Sequence, residues 1–320
     1  MKRLCVFAHY DKDNLIDDYV IYYLQALRKI CKYLIFVSDC NLPEPEILKL
    51  SGLADYVLAT KHGEYDFGSY KRGFLLSLDE NLDYNQLIFA NDSCYGPFYP
   101  LDEIFSKMDK KNIDYWGMTQ NSYGVTKNPE DRYKICPWMP HLQSYFLVFN
   151  SNVFKSEVFN HFIQKISKLE LKTQIITEYE IGLSKLLKKA GFKRGVYINK
   201  FKYENNCSGG RKWDILIKKY KHPFLKTSII KNGFYYTGEV KGYEEVIEKY
   251  TNYPLEFIKS NAERLKNLYE NQYATANLYR KIRYHILNCF PQEVRLVVIY
   301  IEKFSYIILN AICFNKLKKF

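Results

Sequence analysis

The sequence lacks the cysteine patterns of metal-binding and disulfide-stapled proteins. Its eight cysteines are widely scattered and none belongs to a C-x-x-C pair, so a zinc site is not expected. The apolar stretch at residues 4–8 is short and runs directly into charged residues, which is not typical of a signal peptide. We therefore expect a cytoplasmic protein whose cysteines are reduced and mostly part of the core.

Low-complexity linkers and internal repeats are also absent, as is a compact basic stripe interleaved with stacking aromatic residues. A nucleic acid polymer is therefore not an expected partner. The net charge of +12 still favours anionic partners, such as nucleotides, pyrophosphate groups or an acidic membrane surface. With 320 residues, 47% of them hydrophobic and 26% charged, the chain can fold around a large core.

Strand and helix patterns alternate through the first half of the chain. Short apolar runs that favour strands occupy residues 4–8, 33–39, 55–59 and 86–90. Helical spacing or helix signals follow at residues 16–30, 45–51 and 69–78, and a later strand and helix are predicted at 145–149 and 178–190. This alternation predicts an α/β fold with a mostly parallel central sheet flanked by helices. Ligands of such sheets bind at the carboxyl ends of the strands, where the polar clusters 9–11, 38–39 and 91–93 fall.

The turn after the fourth predicted strand reads Asn91-Asp92-Ser93. A site that binds a nucleotide or pyrophosphate group needs a divalent cation, fixed cations or both to offset the negative charge. An Asp-x-Asp pair at this place would suit Mg²⁺ or Mn²⁺, but here Asp92 is the lone carboxylate. The alternative is a turn in which Asp92 caps backbone amides.

Two glutamates mark the start of the predicted helix at 178–190. Glu178 or Glu180 could remove the proton from an acceptor hydroxyl as it attacks an anomeric carbon. A capping box, formed by Thr177 with Glu180 three residues later, explains the same residues equally well.

Two further segments carry cations. Gly68-Ser69-Tyr70-Lys71-Arg72-Gly73 is predicted to open a helix and so to approach the phosphates of a nucleotide, unless it is simply a solvated helix start. His222 and Lys226 could hold a leaving diphosphate, although on sequence alone their segment is a basic loop.

The C-terminal part of the chain, 294–314, is strongly apolar but contains Arg295, Glu302 and Lys303. These charges are costly inside a bilayer, so an amphipathic helix lying in the interface of an anionic membrane fits better. Packing on the body or in a dimer interface is the alternative. We expect a catalytic body over residues 1–275 and a helical tail over 276–320.

Taken together, these segments resemble the rhamnan synthesis protein F family, bacterial glycosyltransferases that assemble cell-surface polysaccharides such as O-antigen of lipopolysaccharide, capsule or rhamnan. The resemblance covers about residues 1–235 and is carried, in order, by residues 6–11, 16–20, 66–71, 91–97, 143–146, 179–184 and 222–226. It implies a GT-A-like nucleotide-diphospho-sugar transferase fold. It also implies inverting transfer of a deoxyhexose, often rhamnose from dTDP-rhamnose, to a lipid-linked glycan acceptor.

The resemblance also implies roles for individual residues. Asp92 would be the donor or metal carboxylate, Glu180 the base in preference to Glu178, and Gln143 with Ser144 would line the acceptor side. His222 and Lys226 would face the diphosphate. The remaining residues predicted to contact the nucleotide sugar are His9, Tyr10, Asp39, Asp66, Gly68, Lys71, Arg72, Asn91 and Ser93.

Two alternative functions are a sugar-phosphate transferase and a non-catalytic scaffold of the polysaccharide machinery. The former would release a nucleoside monophosphate rather than a diphosphate. A tail that lies on the cytoplasmic face of the membrane agrees with a lipid-linked acceptor, because enzyme and acceptor would then meet on one surface.

Overall fold

The computed structural model describes residues 1–125, 135–200, 212–231 and 242–266, together with residues 282, 286, 289, 290 and 294. The first half contains β1 (Arg3–His9), α1 (Asp18–Arg28), β2 (Tyr33–Ser38), α2 (Glu44–Leu48), β3 (Tyr56–Ala59), α3 (Tyr65–Asp79), β4 (Gln86–Asn91), β5 (Cys94–Tyr95), α4 (Leu101–Met108), β6 (Tyr115–Val125), β7 (Ile135–Leu142) and β8 (Phe146–Asn150). The second half contains α5 (Ser151–Phe154), α6 (Glu157–Gln164), α7 (Lys172–Ile175), a π-helical segment (Ile176–Ile181), α8 (Gly182–Lys189), β9 (Arg194–Ile198), α9 (Trp213–Lys218), β10 (Leu225–Lys226), α10 (Thr227–Lys231), α11 (Tyr243–Tyr250) and α12 (Leu255–Arg264).

The strands form a mixed, mostly parallel sheet. Its order is β3-β2-β1-β4-β8-β6-β7, with β9 paired to the first half of β6. The first four strands in this order are parallel, β8 is antiparallel to both neighbours, and β7 is antiparallel to β6. β5 and β10 form a separate antiparallel pair. The predicted α/β class, with a mostly parallel central sheet flanked by helices, is confirmed.

Helices cover both faces of this sheet. β1 is buried on both sides, so its alternate residues enter two different cores. Cys5 and Phe7 pack with side chains of α1 and α4, whereas Val6 packs with side chains of α3, α6 and α8. Full burial of each large apolar side chain contributes about 1.5–3 kcal/mol. The sheet is therefore a rigid platform for the groups at the ends of its strands.

The helix α3 begins four residues earlier than predicted. The segment 68–73 therefore lies within the helix, and the amide of Gly68 already donates to the carbonyl oxygen of Glu64 at 3.2 Å. A Cβ at Gly73 would lie 2.3 Å from Cγ1 of Val6, so this glycine allows α3 to pack closely on β1. The prediction that this segment opens a helix is wrong, and its contact with phosphates stays a prediction.

The helix that carries Glu178 and Glu180 also starts earlier than predicted. Helical backbone runs from Lys172 through the π-helical segment into α8. Thr177 lies inside the π-helical segment and therefore cannot be the N-cap of a helix that begins after it. The capping-box interpretation is wrong, and a π-helical segment is itself often found at functional sites.

The predictions for the cysteines and the tail are tested in part. Cys5, Cys31, Cys40 and Cys94 are unpaired and buried, as expected, whereas Cys289 is exposed. The predicted tail, 276–320, lies outside the described residues apart from five isolated positions, and the boundary near residue 275 stays a prediction. Among the residues with a described placement, no helix has the length and apolar character needed to span a bilayer.

Candidate functional site

Three parallel strands end side by side and bring their polar residues together, as the sequence predicts. His9, at the end of β1, places its Nδ1 2.9 Å from Oγ of Ser38 at the end of β2. Its Nε2 lies 4.0 Å from Oδ2 of Asp92, which follows β4. The backbone amide of Tyr10 donates to that same carboxylate oxygen at 2.9 Å. We call the polar strip that contains His9, Tyr10, Ser38 and Asp92 the carboxyl edge.

The turn after β4 is closed by Asn91 rather than by Asp92. Oδ1 of Asn91 accepts from the amide of Ser93 at 3.1 Å and from its hydroxyl at 2.5 Å. The side-chain amide of Asn91 donates to Oδ2 of Asp66 at 2.7 Å. Asn91 therefore shapes the turn. The carboxylate of Asp92 lies at the carboxyl edge, and 14% of its side chain is exposed.

Asp39 organises the rim beside this turn. Its Oδ1 accepts from the amides of His62 and Gly63 at 2.6 and 2.7 Å, which fixes the loop between β3 and α3. Tyr10 stands exposed next to it, with 58% of its surface accessible. These contacts place both residues at the carboxyl edge, as the sequence predicts; binding of a nucleotide there stays a prediction.

Glu180 reaches the carboxyl edge from the π-helical segment. Its Oε2 accepts from the hydroxyl of Ser144 at 2.6 Å, and its Oε1 lies 3.2 Å from Nε2 of His141. Burial alone would raise the pKa of Glu180. The hydrogen bond and charge of His141, the bond from Ser144 and the charge of Lys226 outweigh burial and hold this pKa below its usual value. Glu180 is therefore a carboxylate at neutral pH.

Lys226 supplies a cation to the same region from β10. Its Nζ donates to Oγ of Ser93 at 2.7 Å and lies 4.7 Å from the centre of the Tyr145 ring. A lysine held by a hydroxyl and an aromatic face keeps most of its charge available to an anion. The structure thus brings together Lys226, Ser93, Asp92, Ser144 and Glu180.

The buried His222 and the half-buried Gln143 belong to one network that runs through Thr119 and Tyr145. Nε2 of His222 lies 3.2 Å from the hydroxyl of Tyr145, and its Nδ1 lies 2.7 Å from the carbonyl oxygen of Phe224. The hydroxyl of Thr119 donates to Oε1 of Gln143 at 2.8 Å. His222 is completely buried, so its position does not support the predicted contact with a diphosphate.

Three residues that were predicted to belong to the site make their contacts outside the carboxyl edge. Lys71 donates to the carbonyl oxygens of Gln164 and Ile166, which anchors the end of α6. Arg72 pairs with Glu64 at 2.7 Å. Glu178 lines an outer groove of about 600 Å³ between α6 and α8, together with Phe162, Tyr179, Leu186 and others. The structure does not bring these three to the carboxyl edge.

A metal site built by the protein alone is not found in the described part of the chain. No three side chains of histidine, cysteine, aspartate or glutamate there are grouped so that they could hold an ion. The side-chain oxygen of Asn91 is engaged in its turn, so Asp92 is the carboxylate of this turn that could contribute to binding an ion. Mg²⁺ is often held by one or two carboxylates plus substrate phosphates, so the residues fit a cation that a diphosphate brings with it.

Two of the buried histidines, His9 and His222, make stability depend on pH. Burial lowers the pKa of His9 and of His222 to about 4, below the value of about 6.5 in an unfolded chain. The unfolded state then binds more protons between these values, so the free energy of unfolding falls as pH falls from about 6.5 to 4. At roughly 1.4 kcal/mol per pKa unit, each histidine accounts for up to about 3 kcal/mol.

Denaturant unfolding at pH 7 and pH 5 measures this effect. We expect lower stability at pH 5, and a shallower pH dependence in His222→Gln. The matched control His161→Gln removes an exposed histidine and should leave the pH dependence unchanged. Equal stability at the two pH values in the wild-type protein would contradict the burial of neutral imidazoles.

Sequence patterns predicted no role for His141. It lies on β7, whose sequence Ile135-Cys136-Pro137-Trp138-Met139-Pro140-His141-Leu142 contains two prolines. Proline cannot donate to a strand ladder and argues against a strand assignment. The only available signal is its place two residues before the Gln143-Ser144 pair.

Comparison with known proteins identifies relatives of the chain. The family model of rhamnan synthesis protein F matches residues 34–309, so the match begins later than the expected coverage of 1–235 and runs into the tail that we expected to lie outside it. A curated relative, "Uncharacterized protein y4gN" of Sinorhizobium fredii (strain NBRC 101917 / NGR234), is 27% identical over 158 residues, 49% of this chain and 39% of the relative. The chain therefore spans about two fifths of the length of that relative.

Solved structures with a similar arrangement are distant. Core-mannan synthase A (CmsA/Ktr4) from Aspergillus fumigatus, in its Mn/GDP form, is 8% identical, with 61% of this chain and 72% of that chain covered and a TM-score of 0.34. A cytidylyltransferase from Leptospira borgpetersenii serovar Hardjo-bovis (strain JB197) is 14% identical, with 82% and 96% covered and a TM-score of 0.38. The family assignment rests on the family model.

Proposed function

The chain belongs to the rhamnan synthesis protein F family, and on that basis we propose that it is a glycosyltransferase of polysaccharide synthesis that uses a nucleotide-sugar donor. The observation that carries the proposal is the carboxyl edge, where Asp92, Lys226 and Glu180 meet at the ends of parallel strands. In open α/β sheets, this is where ligands bind.

The donor side of the proposed site combines one anion and one cation. Lys226 would attract the diphosphate as a point charge, and its approach from β10 is fixed by the bond to Ser93. Asp92 would bind the donor through its ribose or through a divalent cation, Mg²⁺ or Mn²⁺, that offsets diphosphate charge when present. His9 is neutral because burial lowers its pKa to about 4, so it would line the site without adding charge.

The acceptor side is built around Glu180. In an inverting transfer, an acceptor hydroxyl attacks the anomeric carbon, and the bond from that carbon to the diphosphate oxygen breaks. The nucleoside diphosphate leaves with the electron pair, and the hydroxyl proton passes to Glu180. A carboxylate that is ionised at neutral pH and partly exposed, as Glu180 is, suits this role.

We further propose the finer identity of the substrates from the family resemblance. The donor would carry a deoxyhexose such as rhamnose, as in dTDP-rhamnose, and the acceptor would be a lipid-linked glycan. The enzyme would then work at the cytoplasmic face of the membrane. The apolar and basic composition of the tail, 276–320, supports such a peripheral association.

Thermal unfolding with a panel of nucleotide sugars, with and without Mn²⁺, tests donor binding. A donor at 100 times its dissociation constant stabilises the folded state by about 2.7 kcal/mol, which raises the Tm by roughly 5 °C. We expect one donor to give such a shift and Lys226→Met to reduce it. The control Lys107→Met alters an exposed lysine of α4 and should behave as wild type. No shift with any donor would contradict the proposal.

A further inference from the structure

A buried histidine stands directly behind the proposed base. His141 is 1% exposed, whereas 15% of the Glu180 side chain is accessible. Of these two groups, only the carboxylate can therefore meet an acceptor. The imidazole lies on its protein side, with Nε2 3.2 Å from Oε1.

We propose that His141 is a positioning residue that holds the carboxylate of Glu180 in the orientation needed to take a proton from the acceptor. The proposal rests on the function proposed above and extends it to a residue for which the sequence analysis predicted no role.

The backbone around His141 is fixed to the same helix. The amide of Leu142, the next residue on β7, donates to the hydroxyl of Ser184 at 3.1 Å, one turn after Glu180. This bond joins β7 to the helix beside the pair formed by His141 and Glu180. Because the backbone is fixed there and the imidazole is buried, His141 can hold a constant orientation toward its partner.

The second oxygen of Glu180 is held independently. Ser144 donates to Oε2 through its hydroxyl at 2.6 Å, and its carbonyl oxygen accepts from the hydroxyl of Tyr70 at 2.9 Å. With one partner on each oxygen, rotation of the carboxylate is restricted. An ionised carboxylate has about four acceptor sites, so it keeps capacity for the acceptor hydroxyl.

In the hydrogen bond between His141 and Glu180, the imidazole is the donor. A hydrogen bond to a carboxylate requires a proton on Nε2 of His141, so the imidazole donates and favours the ionised form of Glu180. Lys226 from β10 is a further charge that acts on Glu180, and Glu178 lies two residues away on the same π-helical segment. Loss of the imidazole should therefore raise the pKa of Glu180.

Titration of the Glu180 carboxyl carbon tests this without any substrate. Protein labelled with ¹³C at the glutamate side-chain carboxyls is followed by NMR as pH is lowered, and the Glu180 signal is assigned by its loss in Glu180→Gln. We expect His141→Phe to move the midpoint upward by about one pH unit, a tenfold change in proton affinity. His141→Gln keeps a donor and should move it less. An unchanged midpoint in both variants would overturn the proposal.

Kinetics with the donor found by thermal unfolding give a second measurement. We expect His141→Phe to lower kcat by at least about tenfold with donor KM within threefold of wild type, and to shift the acidic limb of the pH–rate profile upward. His141→Gln should recover most of kcat. Equal losses in the two variants with no shift of the acidic limb would indicate a merely structural residue and overturn the proposal. Absence of transfer by the wild-type protein would instead contradict the proposed function, and the titration decides the role of His141 separately.

Discussion

Asp92→Asn is expected to lower the rate of sugar transfer by on the order of 100-fold or more, because it removes a preorganised charge from the donor site, and loss of one such electrostatic contact costs about 10²–10³-fold. Asparagine keeps an oxygen that can accept from the amide of Tyr10, so the turn and the fold should persist. What is lost is the negative charge at the carboxyl edge. Initial rates of nucleotide release, together with the Tm of each variant, measure the effect.

The matched control for this substitution is Asp79→Asn. Asp79 is an exposed carboxylate at the end of α3, and its replacement changes the net charge by the same amount. Wild-type transfer by Asp92→Asn, or an equal loss in Asp79→Asn, would show that Asp92 has no special role in the donor site.

Glu180→Gln is expected to lower kcat by about 10²–10⁴-fold, the usual contribution of a general base, with little change in donor KM. Glutamine can still accept from the hydroxyl of Ser144 but cannot take up the acceptor proton. The wild-type rate should stay level through neutral pH and fall in acid, because the pKa of Glu180 lies below its usual value. The pH–rate profiles of both proteins measure this difference.

Glu178→Gln separates the two candidate bases. Glu178 faces the groove beside α6, whereas Glu180 faces Ser144 and His141. We therefore expect Glu178→Gln to keep close to wild-type activity. An inactive Glu178→Gln beside an active Glu180→Gln would reverse the assignment.

The ends of the buried strands were the most predictable part of the site. Continuous apolar runs identify β1, β2 and β4, and parallel strands place their carboxyl ends together. For this reason the sequence predicts that the polar clusters 9–11, 38–39 and 91–93 lie at the same edge of the sheet. The sequence could not show that Asn91, rather than Asp92, closes the turn, since both residue types can do so.

Tertiary packing decided the features that the sequence did not predict. The early start of α3 at Tyr65, which has a left-handed φ of 57°, moves Lys71 and Arg72 away from the carboxyl edge. The sequence around His222 is typical of a basic loop, but in the structure its imidazole is buried and contacts Tyr145 and Phe224. The π-helical segment has no sequence signature of its own, yet it aims Glu178 and Glu180 in different directions.

Identification of the nucleotide released from the donor tests the central claim most directly. The wild-type protein is incubated with the donor that stabilises it and with a glycan acceptor, and the products are separated. Sugar transfer predicts a nucleoside diphosphate, formed in equal amount to the extended acceptor and lost in both Asp92→Asn and Glu180→Gln. Release of a nucleoside monophosphate, with sugar phosphate on the acceptor, would contradict glycosyl transfer.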